Sequence, residues 1–200
     1  MTSKPSTKPH HEHDPCRWLL KPSKLCVELI QYKTSGSVLD LGTGDGRNAL
    51  YLAHHGFDVT AVDIDPARIQ RLRKHAKELG VDVQTIVSDI TQVELSDCYD
   101  VILAIATLHF LPGDVARSTI HKMKNHTQSG GFNVVLVFTE NNPSKNFPYL
   151  FPTSELRDFY LDWEIAHYSE HITDWERHDH QDWHQHAVAD VIARKPASCT

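Results

Sequence analysis

The stretch Val38-Leu-Asp-Leu-Gly-Thr-Gly-Asp-Gly-Arg-Asn48 constrains this chain more than any other part of it. Ser37 to Leu41 is a short apolar run of the kind that forms a buried strand. It breaks into Gly42-x-Gly44-x-Gly46, and Arg47 to His54 then resumes at helical spacing. Strand, glycine turn and helix in that order predict a first β-α unit. Glycines suit such a turn because a Cβ would meet a ligand or forbid the required φ. The helix that follows directs free N–H groups at whatever occupies the loop.

Two ligand classes use a loop of this kind. The dinucleotide fingerprint G-x-G-x-x-G would put its third glycine where this chain has Arg47. Here the third glycine comes one residue early, and Asp40 precedes the first by two. The next strand, Phe57 to Val62, ends in Asp63. A carboxylate at that tip accepts hydrogen bonds from both hydroxyls of a ribose. Nicotinamide dinucleotides and S-adenosylmethionine (SAM) both carry that ribose, so Asp63 alone does not choose between them. Asp65, directly before Pro66, suits a helix N-cap instead.

The rest of the chain keeps the same rhythm. Ser23 caps a helix to about Lys33, and Pro66 opens another that stops at Gly80. Val81 to Val87 reads as strand three and ends at Ser88-Asp89-Ile90, where a carboxylate and an apolar side chain suit an adenine edge and face. Cys98 to Ala104 is strand four, Ala106 to Leu111 the turn behind it, and Pro112-Gly113-Asp114 restarts a helix to about Asn125. Gly130-Gly131 punctuates, and Phe132 to Phe138 is apolar enough for a central strand. A proline-rich loop, Glu140 to Pro152, precedes a short helix capped by Thr153 or Ser154 and running to about Tyr160. Trp163 to Ile172 and Gln185 to Arg194 read as two closing strands. Strands alternating with helices predict a doubly wound, parallel α/β sheet.

Composition narrows the function. The 200 residues suit one domain, expected over 15–197, behind a polar, proline-containing tail at 1–14 expected to be mobile. Acidic residues outnumber basic ones, 26 to 20, and no Lys/Arg stripe offers a nucleic-acid footprint. The longest apolar runs are far too short to span a bilayer, which gives no membrane partner. The N-terminus has no hydrophobic signal core, and the four cysteines lack CxxC spacing, as expected of reduced thiols in a cytoplasmic protein. Histidine is abundant, at 15. His10, His11 and His13 in the tail and His178, His180, His184 and His186 near the end read as solvated segments, and no metal ligand set is assigned.

Four stations now line up: Asp40 to Gly46, Val62-Asp63, Ser88-Asp89-Ile90 and Tyr99-Asp100-Val-Ile-Leu. Together they resemble the class I SAM-dependent methyltransferases from about Cys16 onward. The finer likeness is to the tellurite-resistance (TehB-like) methyltransferases. It rests on Leu39-Asp-Leu-Gly-x-Gly-x-Gly-Arg-Asn48, Leu50-Tyr-Leu-Ala53, Gly56-x-Asp-Val-Thr-Ala61, Glu155-Leu-Arg-x-Phe-Tyr160 and Ala193-Arg-Lys-Pro196. The resemblance implies a Rossmann-like seven-stranded sheet in the order 3-2-1-4-5-7-6, with strand 7 antiparallel.

It also implies SAM as cofactor and assigns its contacts. Gly42, Thr43, Gly44 and Gly46 would line the methionine part, Asp40 would hold its amino end, and Arg47 its carboxylate. Asp63 and Ile64 would take the ribose and adenine, Asp89 and Ile90 the adenine edge. Ala104 and Ile105 would offer backbone groups at the end of strand four. A leading helix across the cofactor mouth would let Trp18 cover the cofactor, the other reading being hydrophobic packing; His109 would either reach the acceptor pocket or pack behind strand four.

The family receives an anionic substrate on a His-Arg pair before the last strand. This chain has Arg177-His178 in reversed order, followed by histidines where a further arginine is expected. Arg177 and His178 are the candidate catalytic residues. The segment Ala104 to Leu111 lacks the Asn/Asp-Pro-Pro-aromatic stretch of adenine amino methylation. The expected reaction is methyl transfer from SAM to a small soft acceptor, either a tellurite- or selenite-type oxyanion or a thiol. The alternatives are a methyltransferase of another small metabolite, a non-catalytic SAM-binding protein, and a nicotinamide-dependent oxidoreductase.

Overall fold

Single side chains and glycines set most of the element boundaries. In the computed structural model, which describes residues 21–95, 98–175 and 183–197, the Ser23 hydroxyl accepts from Leu25 N–H and starts helix α1 (Lys24–Tyr32). Strand β1 (Gly36–Leu41) runs into the glycine turn and helix α2 (Arg47–His54). Strand β2 (Phe57–Asp63) is followed by α3 (Pro66–Leu79). Asp65 caps α3 by accepting from Ala67 N–H at 2.8 Å. At the other end of α3, Gly80 turns left-handed at φ 66° and Val81 N–H closes back onto the Ala76 carbonyl. Strand β3 therefore covers only Gln84–Val87, shorter than the predicted run from Val81, because Val81 belongs to the helix cap.

Strand β4 (Tyr99–Ile105) leads through a single 3-10 turn (Leu108–Phe110) into α4 (Gly113–Asn125). Strand β5 (Thr127–Phe138), the one-turn helix α5 (Glu155–Asp158), β6 (Glu164–Ile172) and β7 (Ala187–Arg194) complete the chain. The sheet order is β3-β2-β1-β4-β5-β7-β6, with β7 antiparallel to both neighbours and the remaining pairs parallel. This is the predicted architecture, closing hairpin included. Among the described residues, no helix is long and apolar enough to cross a membrane.

Successive residues of a strand face opposite sides, so the central strands feed two cores. Leu39, Ile102, Val135 and Val191 pack beneath α4 and α5. Val38, Val101, Leu103, Val134 and Ile192 pack beneath α1 and α2. The closing hairpin is tied to α1 through His167, whose Nε2 lies 2.6 Å from Asp190 and whose Nδ1 lies 3.2 Å from Glu28. Burial lifts the Asp190 carboxyl above its ordinary range, while His167 and His171 pull it back down.

Two further boundaries depart from expectation: α5 ends at Asp158 rather than about Tyr160 and has no side-chain cap at Ser154, and the glycine pair lies inside a strand. Gly130-Gly131 does not stop a segment; β5 begins earlier, at Thr127, and runs through the pair. The register with β4 slips between Tyr99 and Val101, which marks an irregularity at these glycines. A Cβ on Gly131 would stand 2.7 Å from the Asp100 carbonyl oxygen and 2.9 Å from that of Gln128. The pair admits close backbone approach within a strand, a role that local sequence does not separate from a turn. Gly131→Ala is expected to cost about 1–3 kcal/mol, read as a lower urea midpoint at an unchanged slope.

Candidate active site

The glycine loop is held by the end of its neighbouring strand. Gly42 N–H and Thr43 N–H both donate to the Val62 carbonyl, at 2.8 and 2.9 Å. Gly44 N–H donates to Asp63 Oδ2 at 2.8 Å, and Asp65 N–H to Asp63 Oδ1 at 2.9 Å. Gly46 N–H donates to the Thr43 carbonyl. The loop therefore satisfies these donors internally. Its glycines serve shape: a Cβ on Gly42 would fall 2.3 Å from Thr107, and one on Gly46 would fall 2.4 Å from Leu72 at φ 87°.

Beyond this loop, at the carboxyl ends of the strands, lies an open cleft of about 430 Å³. This is where open α/β sheets bind ligands, and the volume suits a small molecule. Asp63, Ile64, Asp65 and Arg68 form the wall from β2 and α3, and Asp89 and Ile90 the wall beyond β3. Gly42 contributes the floor, and Ala106, Thr107, Phe110 and Leu111 the wall from the turn after β4. Another hollow of about 380 Å³, between α4 and α5, is lined by charged residues such as Lys124 and Asp162, which pair with each other. It lies away from the strand ends, so position favours the cleft.

The structure brings together five of the predicted cofactor residues, Gly42, Asp63, Ile64, Asp89 and Ile90, in one wall system. Asp89 Oδ1 is anchored by Thr91 N–H and Oγ1–H, both at 2.8 Å. Asp40, Thr43, Gly44 and Gly46 do not line the cleft: Asp40 braces Thr43, and the other three are tied into the loop's own hydrogen bonds. Arg47 is exposed on the first turn of α2, and Ala104 and Ile105 are buried at the end of β4. Trp18, Arg177 and His178, and the polar tail, lie outside the described residues.

Sequence reasoning missed Arg68, Ala106, Thr107, Phe110 and Leu111. For the last four the signal lay in the turn itself, where a run of apolar residues reads as core, whereas Arg68 reads as one more exposed position on α3. The turn is set by Ala106, which holds φ 57° while its N–H donates to the Leu136 carbonyl at 2.9 Å. Non-glycine residues rarely adopt that conformation. It directs Thr107 onto Gly42, where Oγ1 lies 3.3 Å from the carbonyl oxygen.

With this geometry in view, comparison with known proteins is decisive. The tellurite resistance protein TehB family matches residues 23–185. The chain belongs to that family. The probable S-adenosyl-L-methionine-dependent methyltransferase TehB of Haemophilus influenzae is 34% identical over 145 residues, 71% of this chain and 51% of that protein. Hemagglutinin 1 of Eikenella corrodens is 34% identical over 148 residues, 72% of this chain and 49% of that protein. The crystal structure of TehB from Haemophilus influenzae superposes with a TM-score of 0.78 at 30% identity, covering 85% of this chain and 61% of that one. This TehB-family chain thus spans about half the length of the curated relatives it matches.

The electrostatics of the loop yield a test. Asp40 is 2% exposed and accepts from the Thr43 hydroxyl at 2.7 Å. Burial pushes its carboxyl up to about 6, against the Thr43 hydrogen bond and with help from the nearby Asp63 charge. A carboxyl whose folded-state value is raised destabilises the fold as pH climbs from about 4 through 6, because the unfolded chain gives up its proton first. Asp40→Asn is therefore expected to raise the melting temperature at pH 8, by an amount equivalent to about 1–3 kcal/mol. The gain should vanish below about pH 4. Melting curves of the two proteins across that range check the sign.

Proposed function

We propose that this chain is a SAM-dependent methyltransferase whose acceptor is small and soft, a tellurite- or selenite-type oxyanion or a thiol. Membership of the TehB family supports the reaction, and the composition of the cleft wall carries the acceptor class. Its titratable groups, among the described residues, are the carboxylates Asp63, Asp65 and Asp89 and the Arg68 guanidinium. Among the described residues, no histidine, lysine, cysteine or tyrosine lines it. An acceptor that must lose a proton at attack needs a general base; one with its own lone pair needs only alignment and exclusion of water.

The residues present fit SAM. Ile64, at the mouth of the cleft, is 67% exposed and offers an uncovered apolar face to a purine. Asp63 and Asp89 stand on either side of it, and each retains acceptor capacity beyond its backbone and Thr91 bonds. SAM, when bound, supplies a methyl group on a sulfonium for in-line displacement. Asp63 and Asp89 bind and orient the adenosyl part, and Thr107 with the glycine turn shapes the floor beside it. The expected Arg177 and His178 would serve the acceptor side by attracting an anion.

Asp63→Ala should weaken SAM binding by about 1–3 kcal/mol, the usual cost of leaving buried partners unpaired. Calorimetry on the folded variant reads this, and an unchanged affinity removes Asp63 from the site. Titration of the parent protein with SAM, its demethylated product and NAD tests the cofactor: NAD binding without a SAM response rejects the reading. Mass spectrometry of the reaction mixture, reading the singly methylated selenium, tellurium or sulfur product together with demethylated SAM, tests the acceptor. SAM binding without a methylated product from any of the three rejects the acceptor class alone.

A further inference from the structure

His109 is fully buried on the 3-10 turn after β4, and its Nε2 has no hydrogen-bond partner. A buried polar atom left unpaired is costly, so one that persists asks for an explanation. The other ring nitrogen settles the tautomer. Nδ1 accepts the Phe138 backbone N–H at 3.3 Å, so the proton of the neutral ring sits on Nε2. Burial first, and then His186, drives the ring's protonation down to about 3, so it stays neutral throughout the physiological range. His109 is thus a fixed hydrogen-bond donor and a poor base.

Its surroundings form a box. The ring stacks on Phe138 with centroids 3.7 Å apart, and Phe147 of the 140–152 loop stands edge-on at 5.2 Å. His186 stacks on Phe138 at 4.1 Å. Phe110 lies 4.6 Å from His109 and is 59% exposed. It also lines the cleft, so this exposed ring touches both the buried His109 ring and the cofactor space. The loop that carries Phe147 is pinned to the same turn by Tyr149 N–H donating to the His109 carbonyl.

We propose that His109 is the acceptor-binding donor of this enzyme: when the exposed Phe110 ring swings aside, its Nε2–H holds an oxygen or sulfur of the methyl acceptor between Phe110, Phe138 and Phe147. The proposal rests on methyl transfer from SAM in the adjoining cleft. It adds how the acceptor is received: through one neutral donor in an apolar surround. Such a site suits a neutral or singly charged acceptor better than a fully hydrated dianion, whose desolvation one neutral donor does not offset. The acceptor attacks with its own lone pair, because the only unprotonated nitrogen of His109 is occupied by Phe138.

Two substitutions separate this role from packing. In His109→Asn the side-chain oxygen takes the place of Nδ1 and keeps the Phe138 bond, but no donor reaches the Nε2 position. In His109→Gln a donor regains that reach. With selenite, tellurite or 2-mercaptoethanol as acceptor, His109→Asn should lose roughly tenfold or more in kcat/KM for the acceptor, the usual effect of one unmade buried hydrogen bond. SAM affinity should stay near that of the parent; both variants lose the ring stacking and should melt lower, yet His109→Gln should recover most of the lost kcat/KM. Nitrogen NMR gives a readout independent of turnover. The His109 ring should show an Nε2–H tautomer that does not titrate between about pH 5 and 8, and its Nε2–H signal should move when selenite is added to the complex with demethylated SAM. Unchanged kcat/KM in His109→Asn overturns the proposal. So does an Nε2–H signal blind to all three acceptors in a protein that binds SAM. Failure of SAM to bind at all strikes the methyltransferase reading instead.

Discussion

The Asp63 carboxylate accepts from Gly44 N–H with one oxygen and from Asp65 N–H with the other, and the site is built around that double bond. It joins two turns that are distant in sequence, the glycine loop after β1 and the entry to α3 after β2. The Val62 carbonyl adds two more bonds to the same loop. Parallel pairing of β1 with β2 brings Leu41 beside Val62, so the strand register delivers these groups to one another. The loop then has little freedom left. Its glycines are required by positive φ at Gly42, Gly44 and Gly46 and by the packing of Thr107 and Leu72 against them.

This arrangement reverses a common assumption about such loops. Four of its backbone donors are already spent on the protein, so recognition falls to side chains on the surrounding walls. Ile64, Asp89 and Phe110 are among the side chains that line the cleft. Asp40 takes a supporting part. Its buried carboxylate braces Thr43 from beneath, and the cost of keeping it there is the raised protonation that burial imposes.

Sequence alone revealed most of the fold because its signals are local. Ser23, Asp65 with Pro66, and Gly80 mark helix ends through bonds made within a few residues. The apolar strands declare themselves by composition, and strand-end position then fixes Asp63, Ile64, Asp89 and Ile90. What stayed hidden depends on long-range contacts. Gly131 looks like a stop until Asp100 is brought against it, and Val81 looks like strand until it caps α3. Phe110 and His109 are adjacent in the chain, yet one is 59% exposed in the cleft and the other is fully buried. No pattern in Thr107-Leu-His-Phe-Leu111 separates them.

The left-handed residue Ala106 makes that separation. β4 lies between β1 and β5 in the sheet, so the turn at its end can reach either neighbour. Ala106 N–H pairs with Leu136 of β5, which holds the strained conformation in place, at a cost on the order of 1 kcal/mol. From there Thr107 falls back over Gly42 on the β1 side, while His109 folds under Phe138 on the β5 side. One reversed φ thereby divides a five-residue turn between two tasks. Its first half shapes the space for an adenosyl ligand, and its second half buries a single donor among aromatic rings next door. Phe110 belongs to both halves: it lines the cleft and packs its ring against His109.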